Sequence, residues 1–114
     1  MDTLLIINRS YEVLKDVVEM NLHLKKPWRY TLGQSLENTL LNLLEYLIMA
    51  KNAPKPTKAP YLLKASSYHE IAVLKLRLFL EFKAANETKI FQSQAKLEEI
   101  GRMMGGWLRS LHTT

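Results

Sequence analysis

Hydrophobic residues recur along most of this chain with the three-to-four-residue spacing of an amphipathic α-helix, and no stretch alternates strictly as a β-strand would. Short breaks separate four such segments, which predict helices over about residues 10–24, 31–52, 60–85 and 87–112. Because short connections place successive helices antiparallel, the expected fold is an all-α, up-down-up-down four-helix bundle that occupies residues 1–114 as one domain.

The limits of the first two helices follow from local signals. The first helix is secure from about Ser10, with a start as early as Thr3, and Pro27 is expected to end it. Thr31 and Gln34 have the spacing of a capping box, in which two side chains satisfy exposed backbone donors reciprocally. The second helix is therefore predicted to begin at Thr31.

Prolines and an asparagine mark the other two connections. Three prolines fall within residues 53–60, which are predicted to form a stiff, exposed and non-helical connection. Pro60 is suited to the first position of the third helix. Asn86 is predicted to cap the fourth helix with its side chain.

The second and third helices are more apolar than a monomeric bundle of this size requires. Between Ile71 and Phe82 the third helix carries only Lys75, Arg77 and Glu81 as charges, and Lys75 lies about 160° from Arg77 on a helical wheel. A helix so enclosed normally packs on two sides. On the second helix the apolar residues spread over well more than one stripe: Leu40, Leu41, Leu43, Leu44, Leu47 and Ile48. We therefore expect a homo-oligomer.

Glycines interrupt the fourth helical pattern. Gly101, Gly105 and Gly106 together should weaken a helix by about 3 kcal/mol unless packing compensates. Gly101 and Gly105 share one face, where another backbone could approach closely, while Trp107 and its neighbours continue the apolar spacing. The pattern favours a helix that runs on, and the alternative is that Gly105 ends it as a C-cap.

Composition narrows the cellular setting. The chain has no cysteine, which excludes disulfides, thiolate metal sites and cysteine nucleophiles. The apolar run at residues 4–7 is too short for a signal peptide or a membrane span. We expect a cytoplasmic protein with no membrane partner.

No residue pattern indicates catalysis. His69-Glu70 begins like a zinc-protease helix, but Val73 stands where the second histidine is needed. Adjacent Glu98 and Glu99 diverge by about 100° on a helix, which is unsuitable for a paired acid and base. The prediction is a protein that is not an enzyme and uses no metal and no cofactor.

The formal charge of +5 and pI near 9.5 favour a polyanionic partner such as RNA or DNA. In the expected topology the first and third connections share one end of the bundle, which places Lys25, Lys26 and Arg29 near Lys83 and Lys89. A second basic group is expected toward the opposite end: Lys51, Lys55 and Lys58, with Arg9, Arg102 and Arg109 not far away. The alternative is an ordinary solvated surface. Trp28 could stack on an unpaired base or plug the bundle end, and the second interpretation is the favoured one.

Four segments resemble the accessory variability determinant proteins of diversity-generating retroelements and the related four-helix-bundle proteins encoded by intervening sequences in bacterial ribosomal RNA genes. They are RYTLGQ at 29–34, the leucine-rich run through Leu47, the Arg77 and Glu81 pair, and EEIGRMMGGWLRS at 98–110. The resemblance spans nearly everything from Ile6 to Ser110. It departs before the RYTLG motif, where Leu24-Lys25 replaces the usual Phe-Pro pair and proline follows at Pro27.

The resemblance implies a non-enzymatic homopentamer that binds nucleic acid and the element's reverse transcriptase and supports mutagenic cDNA synthesis. The alternative is a structural or protein-interaction bundle of the intervening-sequence type with no direct nucleic-acid role. By position the resemblance implies roles for Arg29, Arg77 and Arg102. The candidate binding residues are Lys25, Lys26, Arg29, Lys75, Arg77, Lys83 and Arg102, and the candidate structural motif is Gly101, Gly105, Gly106 and Trp107.

Overall fold

Four long helices form the protein, and the computed structural model describes residues 2–112. They are α1 (Thr3–Asn21), α2 (Gln34–Asn52), α3 (Lys58–Glu81) and α4 (Glu87–Ser110). No strand occurs among the described residues, and the helices pack as a four-helix bundle, so the predicted fold class is confirmed. The molecule measures 49 × 21 × 19 Å.

The helices pack in a ring, in which α1 and α3 each lie against both α2 and α4. Each helix contributes apolar side chains at three- and four-residue intervals to one central core. The largest fully buried side chains include Ile6 and Val13 of α1, Leu36, Leu40, Leu43 and Leu47 of α2, Leu62, Leu76 and Phe79 of α3, and Ile90, Leu97 and Ile100 of α4.

The helix α1 begins at Thr3, the earlier of the two predicted positions. The Asp2 carboxylate accepts a hydrogen bond from the Leu5 amide at 3.1 Å and so satisfies one of the free donors of the first turn. The helix ends at Asn21, with Leu22 as its C-cap, before Pro27 is reached. Pro27 therefore does not end α1.

The prediction of a capping box at Thr31 is wrong. A short α-helical turn at Lys26–Trp28 carries Pro27 in its first turn and leads into a π-helical segment, Arg29–Gly33, which continues into α2. The Thr31 hydroxyl donates to the Pro27 carbonyl at 2.5 Å, as an interior helix residue does. Proline is favoured in a first helical turn because it has no N–H to leave unpaired there, so Pro27 helps to start a helix.

The second connection is shorter than predicted, and the third follows its predicted cap. A 3₁₀ turn forms at Lys55–Thr57, and α3 already begins at Lys58, so residues 53–60 are partly helical and Pro60 is the third residue of the helix. At the start of α4 the Asn86 side chain accepts from the Lys89 amide at 3.0 Å, which confirms the predicted cap.

The helix α3 is apolar on its outer face as well as on its inner face. Ala72, Leu76 and Phe79 are fully buried, whereas the outward Leu74 is 56% exposed and Leu78 is 38% exposed. No helix within residues 2–112 combines the length and the hydropathy needed to cross a lipid bilayer. The outer face of α3 is thus an exposed apolar surface that no other described element covers.

Candidate nucleic-acid interface

The first and third connections lie at the same end of the bundle, as predicted. The rings of Trp28 and Phe82 stack with their centroids 5.3 Å apart and an interplanar angle of 18°. A cavity of about 470 Å³ beside them is lined by residues of both connections, among them His23 and Asn86. These contacts bring together four exposed lysines, which we call the basic end: Lys25, Lys26, Lys83 and Lys89.

The lysines of the basic end form no ion pair with a carboxylate, although Asp16 and Glu19 line the same cavity as Lys89. None of the ion pairs among residues 2–112 includes any of the four. Unpaired, solvated ammonium groups attract a polyanion over a distance of about 10 Å at ordinary ionic strength. The basic end therefore has the charge and the exposure that phosphate binding requires.

Backbone geometry fixes the position of Lys83. Its φ of 52° lies in the left-handed region, where it terminates α3. The following amide, of Ala84, donates to the Phe79 carbonyl at 2.9 Å, as in a Schellman motif. The Lys83 side chain is exposed at the point where the chain turns from α3 to α4.

Trp28 packs as a plug over the bundle end. Its ring is half-buried against the core, and one face is covered by Phe82. This arrangement agrees with the favoured interpretation from the sequence. The covered face is not available for stacking on a base.

Arg29 belongs to the same end but is engaged within the protein. Its Nη2 donates to the carbonyl oxygens of Leu22 at 2.8 Å and Leu24 at 3.4 Å, just beyond the end of α1. Its Nε is buried and has no hydrogen-bond partner among the described residues. These bonds hold the first connection against α1, so a substitution at Arg29 changes the local backbone as well as the surface charge.

Arg77 and Arg102 are exposed but paired along their own helices. Arg77 Nε lies 3.6 Å from the Glu81 carboxylate, and Arg102 Nη1 lies 3.7 Å from that of Glu98. Arg102 follows Gly101, which lies level with His69 in α3. At about 1.5 Å per residue, the 12 residues from His69 to Glu81 place Arg102 about 18 Å from the basic end. The structure does not bring Arg102 together with the other candidate residues.

Lys75 lies in a polar groove between α2 and α3. Arg77, on the same helix, points about 160° away around the helix axis. Its Nζ donates to the Thr39 hydroxyl at 2.7 Å and to the Ser35 carbonyl at 3.3 Å. Partial burial lowers the pKa of the Lys75 ammonium by desolvation. The groove, which we call the amide groove, has a volume of about 490 Å³ and is lined by Tyr30, Thr31, Gln34, Ser35, Asn38, Thr39, Asn42, Tyr68, Ile71 and Lys75.

The glycine segment lies inside α4, which continues to Ser110, so Gly105 is not a C-cap. A Cβ on Gly101 would lie 2.8 Å from His69 Cε1, so Gly101 makes room for an imidazole and not for a second backbone. A Cβ on Gly105 would meet only the Arg109 side chain, at 3.4 Å. Gly106 is half-buried, and Trp107 is 3% exposed and belongs to the core.

The comparisons with known proteins give no family. Neither a protein-family model nor a curated protein matches this chain. Within residues 2–112 no group of three or more histidine, cysteine, aspartate or glutamate side chains is arranged to hold a metal ion.

The uncharged residues of the amide groove were not predicted from the sequence. Gln34, Asn38 and Asn42 recur at four-residue intervals, which places three side-chain amides on one face of α2. The four-residue spacing of these three amides could have been recognised in the sequence. Its significance depends on Lys75, which comes from another helix and which the sequence alone does not place beside them.

Proposed function

We propose that this protein is a non-enzymatic, oligomeric accessory of a diversity-generating retroelement, which binds nucleic acid and the element's reverse transcriptase and so supports mutagenic cDNA synthesis. The observation that carries the nucleic-acid part is the basic end, where three exposed lysines of two connections and one of the first turn of α4 lie together without ion-pair partners. The retroelement and the transcriptase rest on the resemblance of the motifs at residues 29–34 and 98–110.

The outer face of α3 supports self-association. Leu74, Leu78 and Phe82 follow one another at four-residue intervals and form an exposed apolar stripe. Covering such a stripe removes apolar surface from water, which is favourable by about 25 cal/mol per Å². A neighbouring copy can cover this stripe with another part of its surface, as contacts in a closed ring require, and each added copy repeats the basic end. The number of copies, five, comes from the resemblance.

The location of the nucleic-acid contact is tested with two triple variants that carry equal charge. The first variant changes Lys25, Lys26 and Lys83 to Gln, and the control changes the lysines at 15, 51 and 64 to Gln. Binding to a labelled single-stranded RNA is measured by fluorescence anisotropy across a salt series. We expect the first variant to lose affinity and to lower the slope of log K against log salt by about 2, since each lost contact removes about 0.7.

The control variant should keep a slope close to that of the unmodified protein. Equal losses in the two variants would show that net charge matters and the basic end does not. Arg29 is left intact in both proteins because it bonds to the carbonyls of Leu22 and Leu24.

The transcriptase partnership is tested separately. We expect the gene to neighbour a reverse-transcriptase gene and a pair of repeats, and the purified protein to bind that transcriptase. The alternative function, a structural bundle of the intervening-sequence type, is favoured by one observation: Arg77 and Arg102 are both paired with glutamates within the protein. A neighbourhood without a transcriptase, together with no RNA or DNA binding, would support that alternative.

A further inference from the structure

We propose that the amide groove binds a single-stranded segment of nucleic acid and discriminates among its bases. This inference rests on the proposed nucleic-acid function and adds a second subsite to it. The basic end would supply affinity for phosphates of any sequence, whereas the groove would supply base preference.

Lys75 gives the groove one positive charge that the protein does not balance. No carboxylate lines the described groove, and Lys75 takes part in none of the ion pairs among residues 2–112. Its ammonium has three N–H donors, and the bonds to Thr39 and Ser35 use two of them. The third donor and the charge remain for an anion such as a backbone phosphate.

The ladder of amides on α2 supplies both donors and acceptors along the same wall. Gln34, Asn38 and Asn42 follow one another at intervals of about 6 Å along the helix axis. Each side-chain amide carries an N–H₂ donor and a carbonyl acceptor, the combination that pairs with adenine in known complexes. A binding site for a carboxylate or for phosphate alone needs donors only, so the amides favour a ligand that also presents donors.

Tyr30 offers an aromatic face at the entrance of the groove. Its side chain is 61% exposed, and neither of the ring stacks among residues 2–112 includes it. Tyr68 is instead stacked on Tyr46 at a centroid distance of 5.5 Å. An exposed ring can stack on a base of any type, and such stacking is available only where the base is unpaired.

The groove is continuous with the basic end. Tyr30 directly follows Arg29, which is bonded to the carbonyls of Leu22 and Leu24 in the first connection. Lys75 lies six residues before the end of α3, about 9 Å along the axis. A strand attracted to the lysines at the end of the bundle can therefore extend along α2 without leaving the protein surface.

The test compares homopolymers, because phosphate contacts alone cannot distinguish them. Labelled RNA 12-mers of A, C and U are titrated with the full chain at low salt, and anisotropy gives each Kd. We expect the tightest and the weakest homopolymer to differ by about five-fold or more. The double variant Asn38→Ala/Asn42→Ala should lose this preference and retain the salt-dependent affinity. The control variant Asn8→Ala/Asn52→Ala, at exposed sites elsewhere on α1 and α2, should keep both.

Lys75 is tested by Lys75→Met, with Lys15→Met at an exposed site of α1 as the control. We expect the Lys75 variant to weaken binding of all three homopolymers and the control to leave it within two-fold. Circular dichroism checks that every variant is helical.

The outcomes separate the groove from the function on which it rests. If the unmodified protein binds no homopolymer at low salt, the nucleic-acid function fails and the groove proposal fails with it. If it binds all three equally, or if the amide variant keeps the preference, the groove proposal is overturned and the basic end stands. Binding of polyglutamate that the groove variants abolish, in place of RNA binding, would assign the groove to an acidic peptide and also overturn the proposal.

Discussion

Gly101 packs directly against the His69 ring, and any other residue type would place its Cβ too close to that ring. That ring is held in place, since its Nε2 donates to the Leu97 carbonyl at 2.6 Å. The glycine therefore serves the packing of α4 on α3. Gly105, one turn later on the same helix, has no such neighbour, although the sequence presents the two residues alike.

Alanine substitutions at these two glycines should act in opposite directions. Gly101→Ala forces a Cβ into the imidazole at 2.8 Å, and we expect the free energy of unfolding to fall by about 1–2 kcal/mol. Gly105→Ala meets only ordinary contact at 3.4 Å, and its higher helix propensity should raise the free energy of unfolding by about 0.5–1 kcal/mol. Urea denaturation measures both.

A double-mutant cycle with His69→Ala identifies the cause. In the His69→Ala background, Gly101→Ala should no longer destabilise the protein, because the ring that it displaces is gone. A penalty that persists there would contradict this explanation.

Among the elements, the connections differ most from what the sequence pattern predicts. The helices and their antiparallel order follow from apolar periodicity, and Asn86 caps α4 as its residue type indicates. The first connection does not follow from its motif, because Thr31 is bonded to the Pro27 carbonyl within a helix that has already begun. The spacing of Thr31 and Gln34 fits a helix that starts at Thr31 and also a helix that has already started. Only Pro27, which is favoured in a first helical turn, indicates the earlier start.

The left-handed backbone conformation of Lys83 costs free energy that a glycine at this position would not cost. At a φ of 52° a side chain with a Cβ is strained, so Lys83→Gly should raise the free energy of unfolding by about 0.5–1 kcal/mol. The same change at Lys64, inside α3, should lower it by about 1 kcal/mol. Thermal unfolding of the two variants gives the comparison, and a loss of stability at both sites would refute it.

At the scale of the whole molecule, the site was less predictable than the fold. The sequence identifies every cation, and the topology correctly places the first and third connections at one end of the bundle. It does not show which cations are already engaged, because that depends on side-chain partners such as the carbonyls that bind Arg29. The topology had already placed Arg102 away from this end, and the level of Gly101 beside His69 agrees with that expectation.

Self-association through the outer face of α3 is open to a direct test. Light scattering of the unmodified protein should give about five times the chain mass of 13.2 kDa. We expect Leu74→Glu/Leu78→Glu to reduce that mass, since association would bury the introduced carboxylates in an apolar contact without partners. The control variant Gln92→Glu/Ala95→Glu adds the same charge to exposed positions of α4.

The control should retain the mass of the unmodified protein. A monomeric unmodified protein, or an unchanged mass in the α3 variant, would exclude this face as the contact between copies.

The two tryptophans of this chain lie in very different surroundings. Trp107 is enclosed in the core, whereas Trp28 is half-buried at the basic end, stacked on Phe82. Indole fluorescence depends on local polarity, so the emission of Trp107 should change when the protein unfolds. The emission of Trp28 should change when a ligand binds beside it at the basic end. With Trp28→Phe to isolate the core signal, ligand titrations become possible without attaching a dye to the protein.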